Sequence, residues 1–390
     1  MSLIHRTWSL LPRRMRREAL FSLMALRAPR IARPAPSGVG LLAHAGYFRA
    51  MSGLGTAARR LQAGLAAAGL EPLAADLTGK LRQGPPGPPP AVPDGPGTLL
   101  VHVNGPMLPW ALAALGRGAV AGKRVVAVWN WELPVLPADW QRGFGSCHEI
   151  WAGSAFTAAA FRDAGTVPVR VVPYPVDPAA PSALARADFG LPEEAFLALQ
   201  VFDAASSIAR KNPSAGIAAH HAAFGDDPRH LLVLKVHNTA RAGEAWRAVA
   251  AQAAARPNVR VLDAALSDAD LSALVLACDV LLSLHRAEGF GFTLAEALAL
   301  GRPVVATAWS GNVDFMDGPG AHGVPARLVQ AADAQATYDL PNAAWADPDI
   351  RAAATLLRRI AAEPALRHPL PRRFPAPDYR ALLRAPALHP

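Results

Sequence analysis

Cysteine is nearly absent. The 390 residues contain two, Cys147 and Cys278, in different halves of the chain, so no disulfide framework holds the fold, and both read as reduced, unpaired thiols of a cytoplasmic protein. Also missing near the N-terminus is an apolar run of membrane-spanning length: the stretch 19–26 is far shorter than the roughly 20 residues a bilayer core requires. The first strand leads into no Gly-x-Gly-x-x-Gly turn with an acidic residue closing the next strand, which argues against a dinucleotide site. No internal repeat is visible beyond a general alternation of strands and helices. Acidic residues are scarce in residues 1–38, where eight arginines face Glu18 alone, so seven (8 − 1) of the nine net positive charges lie there. That arm has little aromatic interleaving and the rest of the chain is nearly neutral, which speaks against nucleic acid as a partner.

What the chain does contain is enough apolar sequence for about two cores. Strand and helix patterns alternate from residue 39 to about 175, where the proline-stiffened stretch 171–177 marks a crossing. They alternate again from about 194 to 330, each strand followed by an Ala-rich helical stretch. The expected organisation is a basic amphipathic segment 1–37, an N-terminal Rossmann-like lobe 38–175, a C-terminal Rossmann-like lobe 176–365 and a Pro-rich tail 366–390. Residues 83–97, dense in Pro and Gly, read as an exposed loop.

The most informative segment is 279–296, DVLLSLHRAEGFGFTLAE. Residues 280–284 form a short apolar run suited to a strand buried on both faces. Gly289 and Gly291 flank Phe290, so the backbone there can come close to a ligand and present its amides. Thr293 and Glu296 have the spacing of a capping box opening a helix over 294–300, which Gly301 and Pro303 close. Glu288 then lies in the loop and Glu296 in the first helical turn. Ligands of open α/β sheets sit where strands end and helices begin, and two carboxylates there suit the hydroxyls of a sugar or ribose. Taken alone, the same pair also reads as a cap and a solvated loop charge. After the next strand, 303–307, Ser310, Gly311 and Asn312 offer either amides to a phosphate or sugar, or a cap for a short helix.

A second segment, 199–217, runs from a strand through a Ser- and Ala-rich loop to Arg210 and Lys211, just before a Pro that suits the first turn of a helix. Cations do not stabilise a helix N-terminus, whereas an anion there does. The pair therefore reads as a diphosphate site or as a solvent-facing basic pair, with Lys235 at the end of the strand 231–235 as a further cation. In the N-terminal half, 41–56 is an apolar strand, a loop with three glycines and a helix beginning near Thr56; Gly53 and Gly55 in that loop are by themselves a tight-turn device. Two further strands end in polar residues, bringing His102, Asn104 and Glu132 to one sheet edge if the sheet is parallel. His102 reads more simply as a core residue. Glu132, between Trp131 and Leu133, combines a carboxylate for an acceptor hydroxyl with aromatic neighbours that stack on sugar rings, or it partners an arginine. Asp347-Pro-Asp349 has a metal-binding spacing, but it precedes a helical stretch from residue 350 and Asp349 reads as its N-cap. No convincing metal-ligand cluster is present.

Together, Glu288, the Gly289-Phe290-Gly291 turn, the following helix and the strand 301–307 resemble the donor-site segment of retaining glycosyltransferases of family 4, whose Glu-x7-Glu motif matches Glu288 and Glu296. The resemblance implies the GT-B fold, α/β with two Rossmann-like doubly wound lobes facing across a cleft. It implies that Glu288 contacts the donor sugar and Glu296 the nucleotide ribose. Lys211 matches the family's lysine, while Arg210 or Lys235 replaces an arginine that many members carry where this chain has Ser206. Gly53 and Gly55 match a glycine-rich first turn facing the donor phosphates. The implied activity is metal-independent hexosyl transfer from a GDP- or UDP-linked sugar to a glycan or lipid-linked acceptor in cell-surface polysaccharide biosynthesis. The nucleotide sugar is then a co-substrate and no cofactor is needed. A GT-B epimerase or phosphorylase and a non-catalytic membrane scaffold are the alternatives. The arginine-rich, amphipathic N-terminus suits a helix lying on an anionic membrane, placing the protein in the cytoplasm, peripheral on the inner face. Arginines follow its apolar stretch in place of a small-residue cleavage site, which disfavours a secretory signal.

Overall fold

The computed structural model describes residues 13–165, 167–338 and 340–385. They form two compact units. The first comprises the described residues up to Asn130, those of Val135–Pro175 and those from Ala376 onward; the second comprises Trp131–Pro134 and the described residues of Val176–Pro375.

The first unit is built on six parallel strands in the order β2-β1-β3-β4-β5-β6. They are β1 (Leu41–Gly46), β2 (Leu73–Asp76), β3 (Gly97–His102), β4 (Lys123–Trp129), β5 (Glu149–Ala152) and β6 (Val169–Val171). β3, β4 and β5 are buried along their whole lengths, as strands covered by helices on both faces must be. Helix α1 (Arg13–Arg27) precedes the sheet, and α2 (Gly53–Ala67), α3 (Leu108–Leu115) and α4 (Ala155–Ala164) connect its strands. Serine hydroxyls start two of them: Ser52 accepts from the amide of Gly55 and Ser154 from that of Thr157. Gly53 and Gly55 are therefore the first turn of α2 and not part of a loop, a correction to the sequence reading. Residues 77–96 carry no strand or helix, matching the Pro- and Gly-rich expectation.

Glu149 pins the far side of this sheet. Its buried carboxylate pairs with Arg124, accepts from Arg170 Nε at 2.7 Å and from Trp151 Nε1 at 2.7 Å. Arg124 also donates through Nη1 to the carbonyl of Ala385 at 2.6 Å, just beyond α10 (Tyr379–Arg384). Residues near the C-terminus thus belong to the first unit, and the buried Tyr379 lies close to Gly64.

On α1, Phe21 meets the edge of Trp110 at a centroid distance of 5.8 Å. Met15, Leu20, Leu23 and Leu26 remain exposed, Leu26 at 81%. No helix of the described residues is long and apolar enough to cross a membrane. Residues 1–12 of the basic segment lie outside the described residues.

The second unit has the strand order β12-β11-β10-β7-β8-β9, all parallel. These are β7 (Phe196–Asp203), β8 (His230–His237), β9 (Val259–Asp263), β10 (Val280–Ser283), β11 (Val304–Thr307) and β12 (Ala321–Val324), followed by an antiparallel hairpin of β13 (Ala326–Gln330) and β14 (Ala344–Pro348). The helices are α5 (Pro213–Phe224), α6 (Glu244–Ala254), α7 (Asp268–Ala277), α8 (Phe292–Ala299) and α9 (Ile350–Ala362). Asp349 caps α9 by accepting from the amides of Arg351 and Ala352, and Asp347 pairs with Arg327 at 3.0 Å. The chain winds outward from β7 through β8 and β9, then returns to β10 on the other side of β7. The topological switch point therefore lies between β7 and β10.

Removing one partner of a buried ion pair leaves the other charge uncompensated and costs about 3–5 kcal/mol. Glu149→Ala should destabilise the first unit by that order, seen as a lower urea midpoint by tryptophan fluorescence. A midpoint equal to wild type would show that the cluster contributes nothing net.

Candidate active site

The loops leaving β7 and β10 meet at the switch point. After β7 the chain turns at Ser207, whose φ of +73° is rare for a side-chain-bearing residue. It then makes a single helical turn, Ile208–Lys211, and reverses at Asn212 before α5 begins with Pro213. Arg210 and Lys211 thus occupy the last positions of one helical turn, where cations are favoured, as well as the approach to α5. The expected mismatch with the dipole of α5 is therefore present, offset only in part by the short turn that the two residues close. What marks the pair is burial: the Arg210 side chain is 5% exposed and that of Lys211 20%.

After β10, Glu288 reaches back to both. Its Oε1 pairs with Lys211 Nζ and its Oε2 lies 3.2 Å from Arg210 Nη1. Arg210 also donates to the carbonyl of Ala287 at 2.8 Å and to that of Ser206 at 3.3 Å. The loops are joined by backbone as well, Arg286 donating to the carbonyl of Arg210 at 2.7 Å, and Asn212 Nδ2 to that of Leu284 at 2.9 Å. Burial alone would raise the Glu288 carboxyl. The charges of Lys211, Arg210 and His285 outweigh it and bring the group down to about 2.

Ser310 and Asn312 support this loop from below. Ser310 Oγ accepts the amide of Glu288 at 2.8 Å, and the amide of Gly311 donates to the carbonyl of Glu288 at 2.8 Å. A Cβ at Gly311 would come within 2.1 Å of the carbonyl oxygen of Gly289, so only glycine permits that approach. Asn312 Nδ2 donates to Thr307 O at 2.9 Å, and its Oδ1 lies 3.0 Å from His285 Nε2. Ser310 and Asn312 thus use their side chains to shape the Glu288 loop, and Ser310 makes no side-chain cap of the short turn that follows it.

The helix after Glu288 starts earlier than the capping box suggests. α8 begins at Phe292 with Gly291 as its N-cap, at φ +94°, and no side chain caps it. Thr293 is inside the helix and Glu296 lies in its second turn, half-buried. A glycine at positive φ makes the entry turn directly, so the Thr-x-x-Glu spacing is not used as a box. Phe290 packs its buried ring against Phe292 and Phe315, at 5.0 and 5.4 Å.

Lys235 lies within β8, two residues short of its end, and is buried. Desolvation lowers its pKa, opposed by the charges of Asp203 and Asp263. Among the described residues no hydrogen bond or ion pair ties it to Glu288. Gly53 and Gly55 belong to the first unit, as do Asn104 and the buried His102, whose ring lies 5.8 Å from those of His44 and Tyr174.

Glu132 belongs to the second unit. Its Oε2 accepts from Tyr338 Oη at 2.9 Å. Tyr338 lies beneath Arg210, whose guanidinium carbon is 5.4 Å from the ring centroid, and 5.5 Å from the ring of Trp131. The sequence reading missed Tyr338, and with it the strap 333–338 between β13 and β14. Only the Asp-x-Gln pattern at Asp333 and Gln335, typical of a side-chain-bonded turn, hints at it.

A family model of glycosyl transferases, group 1, matches residues 231–342, the stretch containing Glu288, Glu296 and Tyr338. Among solved structures, sucrose-phosphate synthase from Thermosynechococcus elongatus is similar at 18% identity and TM-score 0.59, over 89% of this chain and 95% of that one. Anabaena HepE in complex with UDP and glucose is similar at 14% identity and TM-score 0.55, over 83% and 90%. The chain spans only about half the length of two other matches, 49% of S. aureus TarM and 52% of pneumococcal GtfA. No curated relative matches the sequence. The fold is α/β of the GT-B class, with two Rossmann-like units.

Because the Glu288 carboxyl is held below its ordinary 4.5, the native state gains stability from it above that pH and loses the gain as pH falls toward about 2. Urea unfolding across that range should show the stability gap between wild type and Glu288→Gln narrowing with acid. A gap independent of pH would mean the ion pairs are not formed.

Proposed function

We propose that the protein is a retaining glycosyltransferase of the family 4 type that takes its sugar from a nucleotide diphosphate donor held by the second unit. One observation carries the reading: Glu288 bridges the half-buried Lys211 and the buried Arg210 at the switch point, in a chain whose residues 231–342 match group 1 glycosyl transferases. Arg210 supports it further. Its Nε donates to the carbonyl of Ser206 at 3.3 Å, which brings a cation near the residue where the family resemblance calls for an arginine.

On this reading Lys211, the more exposed cation, takes the donor phosphates, while Arg210 holds a fixed positive charge behind them. Charge that grows on the departing diphosphate meets cations already in place, the arrangement that lowers a barrier most effectively. Glu288, released from Lys211, accepts hydroxyls of the sugar, and Glu296 on α8 takes the ribose. Glu132 accepts an acceptor hydroxyl, and attack occurs on the face the phosphate leaves, which retains configuration. GDP- and UDP-sugars are the proposed donors, a glycan or lipid-linked sugar the acceptor, and cell-surface polysaccharide the product. The protein works in the cytoplasm without a metal ion, with the exposed apolar residues of α1 and its neighbouring arginines on the anionic inner face of the membrane.

Calorimetry with UDP-glucose, UDP-N-acetylglucosamine and GDP-mannose tests the donor site. Wild type should bind at least one of them, with slow hydrolysis of that donor. Lys211→Ala should weaken it by about 10- to 100-fold, the loss of a hydrogen bond between charged groups. Binding of none, or equal binding by Lys211→Ala, would refute the assignment, and epimer formation would favour the epimerase.

Sedimentation with phosphatidylglycerol-containing vesicles tests the membrane face. The double variant Leu23→Ser, Leu26→Ser should bind at least about tenfold more weakly, since each leucine buried in lipid contributes roughly 1.5–3 kcal/mol. Its nucleotide-sugar affinity should be that of wild type. Equal vesicle binding would remove the membrane role.

A further inference from the structure

Two acidic and two basic side chains crowd the switch point, and one neutral residue touches a member of each kind. Tyr338 donates its hydroxyl to Glu132 Oε2 at 2.9 Å and presents its ring to Arg210, with the guanidinium carbon 5.4 Å from the centroid. We infer that Tyr338 is a positioning residue for the donor site, setting Arg210 through its ring and Glu132 through its hydroxyl. The inference rests on the glycosyltransferase reading and names how that site is held in register.

The position of Tyr338 is itself determined by the loop that carries the cations. Asp333 is buried. Its Oδ2 accepts the amides of Thr337 at 3.0 Å and Tyr338 at 3.2 Å, while its Oδ1 accepts from Ser207 Oγ at 2.9 Å and from the amide of Gln335 at 3.1 Å. Gln335 fastens the same loop from the other end. Its Oε1 accepts the amide of Ile208 at 2.6 Å and its Nε2 donates to the carbonyl of Ala204 at 3.1 Å. Ser207 Oγ in turn accepts the amide of Arg210. One continuous set of hydrogen bonds therefore runs from the backbone of Arg210 through Ser207 and Asp333 to the backbone of Tyr338, and the ring closes the circuit on the Arg210 side chain.

The two contacts have separable consequences. A guanidinium over an aromatic face is attracted to it, and more strongly when water is excluded. Tyr338 is 4% exposed, so the ring fixes where the Arg210 charge meets the diphosphate. The hydroxyl is a neutral phenol, because burial raises its pKa well above the ordinary value, so it donates and Glu132 accepts. That bond holds one oxygen of a half-buried carboxylate and leaves Oε1 as the oxygen for a substrate hydroxyl.

Calorimetry on the full chain with UDP, GDP and ADP, each beside its nucleoside, tests the ring contact, and steady-state hydrolysis of UDP-glucose and GDP-mannose tests the hydroxyl. If wild type binds none of the three diphosphates, the donor-site reading itself fails. Where wild type binds one, Tyr338→Leu should weaken that diphosphate about tenfold or more and its nucleoside less than twofold. Tyr338→Phe keeps the ring and should bind the diphosphate within twofold of wild type, with an unchanged KM for the sugar donor and kcat lowered about tenfold. A Tyr338→Leu variant that binds as wild type, or that loses diphosphate and nucleoside equally, overturns the ring's role. A Tyr338→Phe variant with wild-type kcat overturns the hydroxyl's role, and that arm stands even if Tyr338→Leu does not fold.

Discussion

The switch point of the second unit depends on one carboxylate that pairs with a buried arginine and a half-buried lysine. Lys211 and Arg210 are largely withdrawn from water, and a cation there without a partner would be expensive. Glu288 answers both, Oε1 to Lys211 and Oε2 to Arg210. The surrounding hydrogen bonds serve that geometry. Ser310 and Gly311 hold the backbone of Glu288, Ala287 and Ser206 accept from Nη1 and Nε of Arg210, and Asn212 ties the turn after Lys211 to the end of β10.

Topology explains why the cluster forms where it does. Neighbouring strands whose connections depart to opposite sides leave a crevice beyond their C-terminal ends, with no helix passing over it. β7 and β10 are such neighbours, and the Arg210 and Glu288 loops are the two that leave them. Parallel pairing aligns their ends, so residues 77 positions apart meet without any long excursion of chain. Glycine enters only where side chains would block this meeting: Gly311 passes against the carbonyl of Gly289, and Gly291 turns the chain into α8 at a φ of +94°.

Much of this was legible in the amino-acid order. The apolar runs ending before Glu288 and before the Ser-rich loop are strands because burial on both faces demands such composition, and the proline after Lys211-Asn212 marks the start of α5. Local patterns misled where a second solution was available. Thr293 and Glu296 have the spacing of a cap, yet Gly291 turns the chain first. Lys235 looks terminal in an apolar run, yet β8 continues through Val236 to His237. Ser310 looks like the cap of a short helix, yet its side chain accepts the amide of Glu288 and caps nothing. Tyr338 was not legible at all, since its partners Glu132 and Arg210 lie 206 and 128 (338 − 210) positions away and no local spacing encodes them.

The closed cluster also bears on what the proposed donor must offer. Before it arrives, Glu288 has Lys211 and Arg210 as partners, and a diphosphate that draws Lys211 away leaves one carboxylate oxygen buried and unsatisfied. An unpaired buried acceptor costs on the order of 1–3 kcal/mol, more when charged. Hydroxyls of an attached sugar can restore the lost bond; phosphate oxygens, being acceptors only, cannot. On the proposed reading, phosphate and sugar recognition are coupled through a single residue: Lys211 is released to the leaving group in full only when a hydroxyl takes its place on Glu288. For such a donor, preference for the intact sugar nucleotide over the bare nucleotide would follow from the pairing of Lys211 with Glu288.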